Sequence, residues 1–88
     1  MTYEVIFSPR ARRALSEELP EALAAAFFEF ITGPLADNPR RVGKPLQNEL
    51  AGTYAARRGE FRVIYDIIDD RARIEASSIR HRRDACRT

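Results

Sequence analysis

Hydrophobic and polar positions alternate along Phe61-Arg-Val-Ile-Tyr-Asp-Ile-Ile68. Phe61, Val63, Tyr65 and Ile67 point one way, and Arg62, Ile64, Asp66 and Ile68 the other. This period of two predicts a strand over 61–69. Gly59 stands just before it, where a tight turn needs a permissive backbone, so a partner strand over 53–58 completes a hairpin. Two more segments alternate. In Thr2–Phe7, Tyr3, Val5 and Phe7 share a face. In 72–80, Ile74, Ala76 and Ser78 alternate with Arg73, Glu75 and Ser77, and Asp69-Asp70 marks the turn before them.

Between the first strand and the hairpin the spacing becomes helical. Ser8-Pro9 is a helix start, with Ser as N-cap and Pro in the first turn, where its missing N–H costs nothing. Ala11, Ala14 and Leu15 face inward from this short helix. Pro20 opens a second helix, Ala22–Ile31, with Leu23, Phe27, Phe30 and Ile31 on one stripe. Phe28 falls off that stripe and is expected to face a partner. Gly33-Pro34 is expected to end the helix. Asp37–Leu50, interrupted by Asn38-Pro39, Gly43 and Pro45, reads as a loop whose Arg40, Arg41 and Lys44 could rim a phosphate site. Together these elements predict one α+β domain over 1–88. Two helices cover one face of an antiparallel sheet of about four strands, and Arg62 projects from the open face.

Size and composition narrow the chemistry. A chain of 88 residues buries only about 60–65 % of its unfolded surface, so its core is thin and a large cofactor has no room. Cys86 is the single cysteine: it cannot form an internal disulfide, and with one histidine it cannot build a zinc site. With no apolar signal region and no run of membrane-spanning length, the expected location is the cytoplasm, away from the membrane. Net charge is only +2, but Met1–Pro39 holds three basic residues against six acids, whereas Arg40 onward holds twelve against seven. Fourteen of the fifteen basic residues are arginine, whose planar fork matches phosphate. They gather at Arg57, Arg58 and Arg62 and again in Arg80-His-Arg-Arg-Asp-Ala-Cys-Arg87, which suggests a polyanionic ligand.

At this point the sequence resembles the RelE/ParE toxins of bacterial toxin–antitoxin pairs, most of all the RelE branch. The resemblance rests on Tyr3-Glu-Val-Ile-Phe7 followed by Ala11 and Leu15, Asn38-Pro39, Gly43-Lys-Pro-Leu46, Leu50-Ala-Gly52, Arg57-Arg-Gly-Glu-Phe-Arg-Val-Ile-Tyr65 and Ile79-Arg-His-Arg82. It implies a ribosome-dependent endoribonuclease that cuts mRNA in the ribosomal A site without metal or cofactor. It also implies a cognate antitoxin that silences the toxin, and binding of operator DNA by the pair. In the implied site Arg62 and Arg82 clamp phosphate. Lys44, Arg57, Arg58, Arg80 and Arg83 contact the RNA backbone. His81 carries the proton, histidine being the side chain that ordinarily titrates near neutrality.

Two departures from the family stand out. Many RelE-type chains carry lysines where this one has Thr53 and Ala55. Many also end in a tyrosine where this one has Cys86 or Thr88. The resemblance therefore leaves two other functions open. One is a ParE-like, non-enzymatic poison of DNA gyrase; the other is a degenerate toxin that acts only with its antitoxin as a corepressor.

Overall fold

The computed structural model describes residues 2–47 and 51–81. Strand β1 (Glu4–Phe7) leads into helix α1 (Pro9–Arg13), which widens into a π-type turn over Ala14–Glu18. Helix α2 (Glu21–Phe30) widens likewise over Ile31–Leu35, and a short helix α3 (Pro39–Val42) follows. Strands β2 (Lys44–Pro45), β3 (Tyr54–Arg58), β4 (Phe61–Ile68) and β5 (Arg73–His81) complete the chain. The sheet order is β1-β5-β4-β3-β2. β1 runs parallel to β5 and the other pairs are antiparallel.

Local chemistry explains most of these boundaries. The Ser8 hydroxyl accepts a bond from the Ala11 N–H, and Pro9 occupies the first helical position. Gly59, at φ 63°, makes the two-residue connection between β3 and β4. The Asp69–Arg71 turn joins β4 to β5 and closes on Ala72, which takes the left-handed conformation at φ 48°. The second helix does not stop at Gly33-Pro34 as the sequence predicts. Widening the turn accommodates a proline that has no N–H to give, and Leu35 and Ala36 then bury completely. Part of the predicted Asp37–Leu50 loop is also ordered structure, forming α3 and β2, while residues 48–50 lie outside the described residues.

The core lies between the helices and one face of the sheet. Phe27, Ile31, Leu35, Ala11 and Ala14 meet Val63, Tyr65, Ile74 and Ala76, all essentially inaccessible. Phe27 stands edge-on to both Phe30 and Phe61. Phe28 is about half exposed (49 %) and stacks on Phe7 at the margin.

Beneath α3, the buried Tyr65 hydroxyl donates to the Pro39 carbonyl at 2.5 Å, and its ring stacks on Tyr54. Gly43 lies against that hydroxyl: a Cβ there would sit 2.0 Å from the Tyr65 oxygen and 3.0 Å from the Ala55 carbonyl. On the exposed side of the same corner, the Arg40 guanidinium forks onto both carboxylate oxygens of Asp69, to which Tyr3 also donates. Arg40 is thereby tied to the fold rather than left at a phosphate rim. The bond from Arg40 holds Asp69 below the usual carboxylate range.

Gly43→Ala is expected to lower stability by about 1–3 kcal/mol in chemical denaturation, the usual range for overpacking a dense site. Tyr65→Phe should cost about 0.5–1.5 kcal/mol by removing one buried hydrogen bond, the Pro39 carbonyl keeping the Gly43 N–H. Burial, and secondarily Tyr54, raises the Tyr65 pKa from 10.0 to about 12. A raised folded-state pKa stabilises fully below the unfolded value and is lost above the folded one. Denaturant melts should therefore show stability falling between pH 10 and 12, with that decline reduced in Tyr65→Phe.

Candidate functional site

The sheet face away from the helices is open, and its basic end is set by strand register. Arg57 on β3 pairs directly with Arg62 on β4, and Arg62 pairs directly with Arg80 on β5. Directly opposed residues share a face, so three guanidinium groups form a row across three strands. Lys44 on β2 pairs with Ala55, whose alternation with Ala56 and Arg57 puts it on the same face. Lys44, Arg57 and Arg62, with Val42, Leu46 and Ala55, line a groove of about 470 Å³. No described carboxylate pairs with any of these four cations.

Farther down the same face the charge reverses. Asp66 pairs with Glu75. Burial, then the neighbouring Glu75, raises the Asp66 pKa above its ordinary value. Arg73 lies between Glu4, at 3.5 Å, and Glu75, at 4.0 Å. The face is thus cationic toward the β3–β4 turn and acidic toward the β4–β5 turn.

The sequence reading of β5 needs one correction. Ile64 pairs with Ser78 but Tyr65 pairs with Ala76, so Ser77 is an extra residue in a β-bulge. Beyond the bulge the faces exchange. Ile79 joins the core opposite Val63, Ser78 pairs with Ile64 and stays buried, and Arg80 comes level with Arg62. The Ser77 hydroxyl donates to the Ile64 carbonyl at 3.1 Å, and the Ser77 carbonyl accepts from the Ser8 hydroxyl at 2.7 Å. Two adjacent serines look alike to an alternation pattern, so the sequence alone does not show which one is the insertion.

The remaining sequence candidates separate. His81 pairs with Phe61 on the helix side, edge-on to its ring, with its Nε2 3.8 Å from Glu60. Together with Arg10, Ala14, Glu18, Leu19 and Ile79 these two rings border a cleft of about 530 Å³, which Arg80 also borders from the end of β5. Arg58 lies on the helix side as well, its guanidinium 5.9 Å from the Phe30 ring centre. The structure therefore brings Lys44, Arg57 and Arg62 together in the groove, places Arg80 level with Arg62 in register while it borders the same cleft as His81, and sets His81 and Arg58 on the helix side. Arg82, Arg83, Cys86 and Thr88 lie outside the described residues. Ala55 faces the groove, and Arg57, two residues on, supplies a cation to the same surface. Among the described residues no cluster of three potential metal ligands occurs, and no helix is long and apolar enough to cross a membrane.

Comparison with known proteins agrees with this architecture. The family described as "ParE toxin of type II toxin-antitoxin system, parDE" matches residues 5–86. Toxin RelE of Mycobacterium tuberculosis is 49 % identical over 80 residues, covering 91 % of this chain and 81 % of that protein. Toxin RelG of the same organism is 46 % identical over 87 residues, 99 % of each. The crystal structure of the M. tuberculosis RelBE2 toxin–antitoxin complex contains a chain that superposes with a TM-score of 0.87 at 44 % identity, covering 92 % of this chain and 99 % of that one. The strand order, the helices packed on one face and the sequence kinship together make this chain a member of the RelE/ParE toxin family, the toxin side of type II toxin–antitoxin systems.

Proposed function

We propose that the protein is a metal-independent endoribonuclease that cuts mRNA on the ribosome and holds the scissile phosphate on its open sheet face. The row Arg57–Arg62–Arg80 carries this reading. Like charges directly opposed on a sheet destabilise the fold, and among the described residues no carboxylate offsets these. An anionic ligand supplies the missing counter-charge, and arginine forks suit phosphate oxygens. The RelE kinship adds weight to RNA as that ligand.

The reaction needs no redox step. The ribose 2′-oxygen attacks the adjacent phosphorus and gives up its proton. The bond from phosphorus to the 5′-oxygen breaks, and that oxygen takes up a proton. The products are a 2′,3′-cyclic phosphate and a 5′-hydroxyl. Negative charge grows on the phosphorane oxygens in between, where Arg62, flanked by Arg57 and Lys44, stabilises it. From the family resemblance Arg82 is the second phosphate clamp, Arg83 a further RNA contact and His81 the proton carrier, His81 standing beside Arg80 at the border of one cleft. Arg58, across the sheet, contacts RNA only beyond the row.

A second reading, a non-enzymatic gyrase poison, is favoured by the ParE description of the matching family and by the place of His81 on the helix side of the sheet, opposite Phe61. In either case a cognate antitoxin with an acidic, partly helical segment covers the basic face or the C-terminal cluster. The pair then binds operator DNA.

Primer-extension mapping of a translated mRNA with purified ribosomes decides between the two activities. Cuts within the A-site codon are expected, and Arg62→Ala should slow them about 100-fold or more, the usual loss for one transition-state donor. His81→Gln should slow cutting while leaving antitoxin binding intact. No cuts, with growth still arrested and gyrase inhibited in vitro, would replace the nuclease by the gyrase reading. No cuts and no arrest would leave only the corepressor.

A further inference from the structure

The acidic end of the open face has no part in the nuclease reading. Asp66 on β4 is directly opposed to Glu75 on β5, just as Arg62 on β4 is opposed to Arg80 on β5. Like charges so placed destabilise a sheet. Arg73 reaches Glu75 and Glu4, but no described cation pairs with Asp66. An RNA strand compensates the arginines and leaves this carboxylate worse off, because phosphate repels it. The complement of the acidic row is a cationic protein surface.

One such surface is already on the molecule. Arg62 and Asp66 lie on one face of one strand, about 13 Å apart at the usual rise per residue. Midway between them stands Ile64, beside Ala55 on β3. A second copy can be turned over about a twofold axis that runs across the strands above Ile64. That rotation exchanges the two ends of each strand and keeps the strands in column. Arg62 then lies over Asp66 of the second copy, and by register Arg80 lies over its Glu75. Each contact occurs twice, as twofold symmetry requires. Sheets packed face to face stand about 10 Å apart, a gap that arginine and carboxylate side chains bridge together. Ile64 meets Ile64 at the centre, and Lys44, two strands out from β4, stays at the margin. We infer that the open face is an interface between two copies of this chain, closed by Arg62–Asp66 and Arg80–Glu75 ion pairs around Ile64. The occupant is a second copy because the register that creates the acidic row also fixes its complement. The pairing covers Arg62, so RNA and the second copy compete for one face, and concentrated toxin holds itself idle. That consequence rests on the nuclease reading; the dimer rests on the charge pattern alone.

Sedimentation velocity of the full-length toxin, across protein and salt concentration, tests the interface. The wild type is expected as a dimer at low salt that dissociates as salt screens the pairs. Asp66→Arg sets two cations against each other across the axis, and Arg62→Asp sets two carboxylates there. Each variant should therefore shift to the monomer mass. Mixed in equal amounts, the two should form a one-to-one dimer, because each supplies the charge the other lacks. If Arg62→Asp fails to fold, Asp66→Arg carries the test alone. A wild type that stays monomeric at low salt and high concentration would overturn the inference and leave the acidic row to another cationic protein, the antitoxin included. A dimer whose mass survives Asp66→Arg would overturn this face as its interface. A-site cutting by dilute toxin tests the nuclease separately and is decided by neither result.

Discussion

Burial of the Tyr65 hydroxyl beneath α3 is the contact on which the basic end of the sheet depends. A phenol taken out of water needs an acceptor, and the Pro39 carbonyl provides it. The ring can reach that carbonyl only because Gly43 presents no Cβ to its oxygen. α3 is thereby fixed over β4, and the chain leaves Gly43 directly into β2, whose first residue is Lys44. A four-residue helix and a two-residue strand have little stability of their own. Their position comes from this hydrogen bond, the stacked Tyr54, the Arg40–Asp69 fork at the corner and the pairing of β2 with β3.

The two faces of β4 impose opposite demands. On the helix side Val63 and Tyr65 are wholly buried and lock the strand in place. On the other side the same strand carries Arg62 between two more arginines. Repulsion within that row destabilises the free protein, and the packed face offsets it. The strand fixes where each arginine leaves the backbone, so positive charge is concentrated on this face before any ligand arrives.

The hairpin was legible because its signals are local. Gly59 makes the turn, and a period of two runs unbroken through Ile67. The Ser8-Pro9 helix start was legible for the same reason. What the sequence hid depends on distant partners. Arg40 looks like any loop arginine until Asp69 comes beside it. Gly33-Pro34 looks like a helix stop because the wider turn that absorbs the proline is held by the burial of Leu35 and Ala36. His81 and Arg80 look equivalent in a basic tail; strand alternation sends them to opposite faces, and the bulged Ser77 decides which of the two comes level with Arg62. Arg62 was placed correctly because its strand has no such interruption.

The β2 edge bears on how this chain behaves once freed from a partner. An open sheet edge is ordinarily a template for another copy. Here the outermost strand is two residues long, Pro45 has no N–H to offer, and Lys44 adds like charge to any copy that approaches. Growth of a cross-β ladder from this edge is therefore blocked by covalent structure and charge. A released toxin can accumulate without that edge drawing it into aggregates.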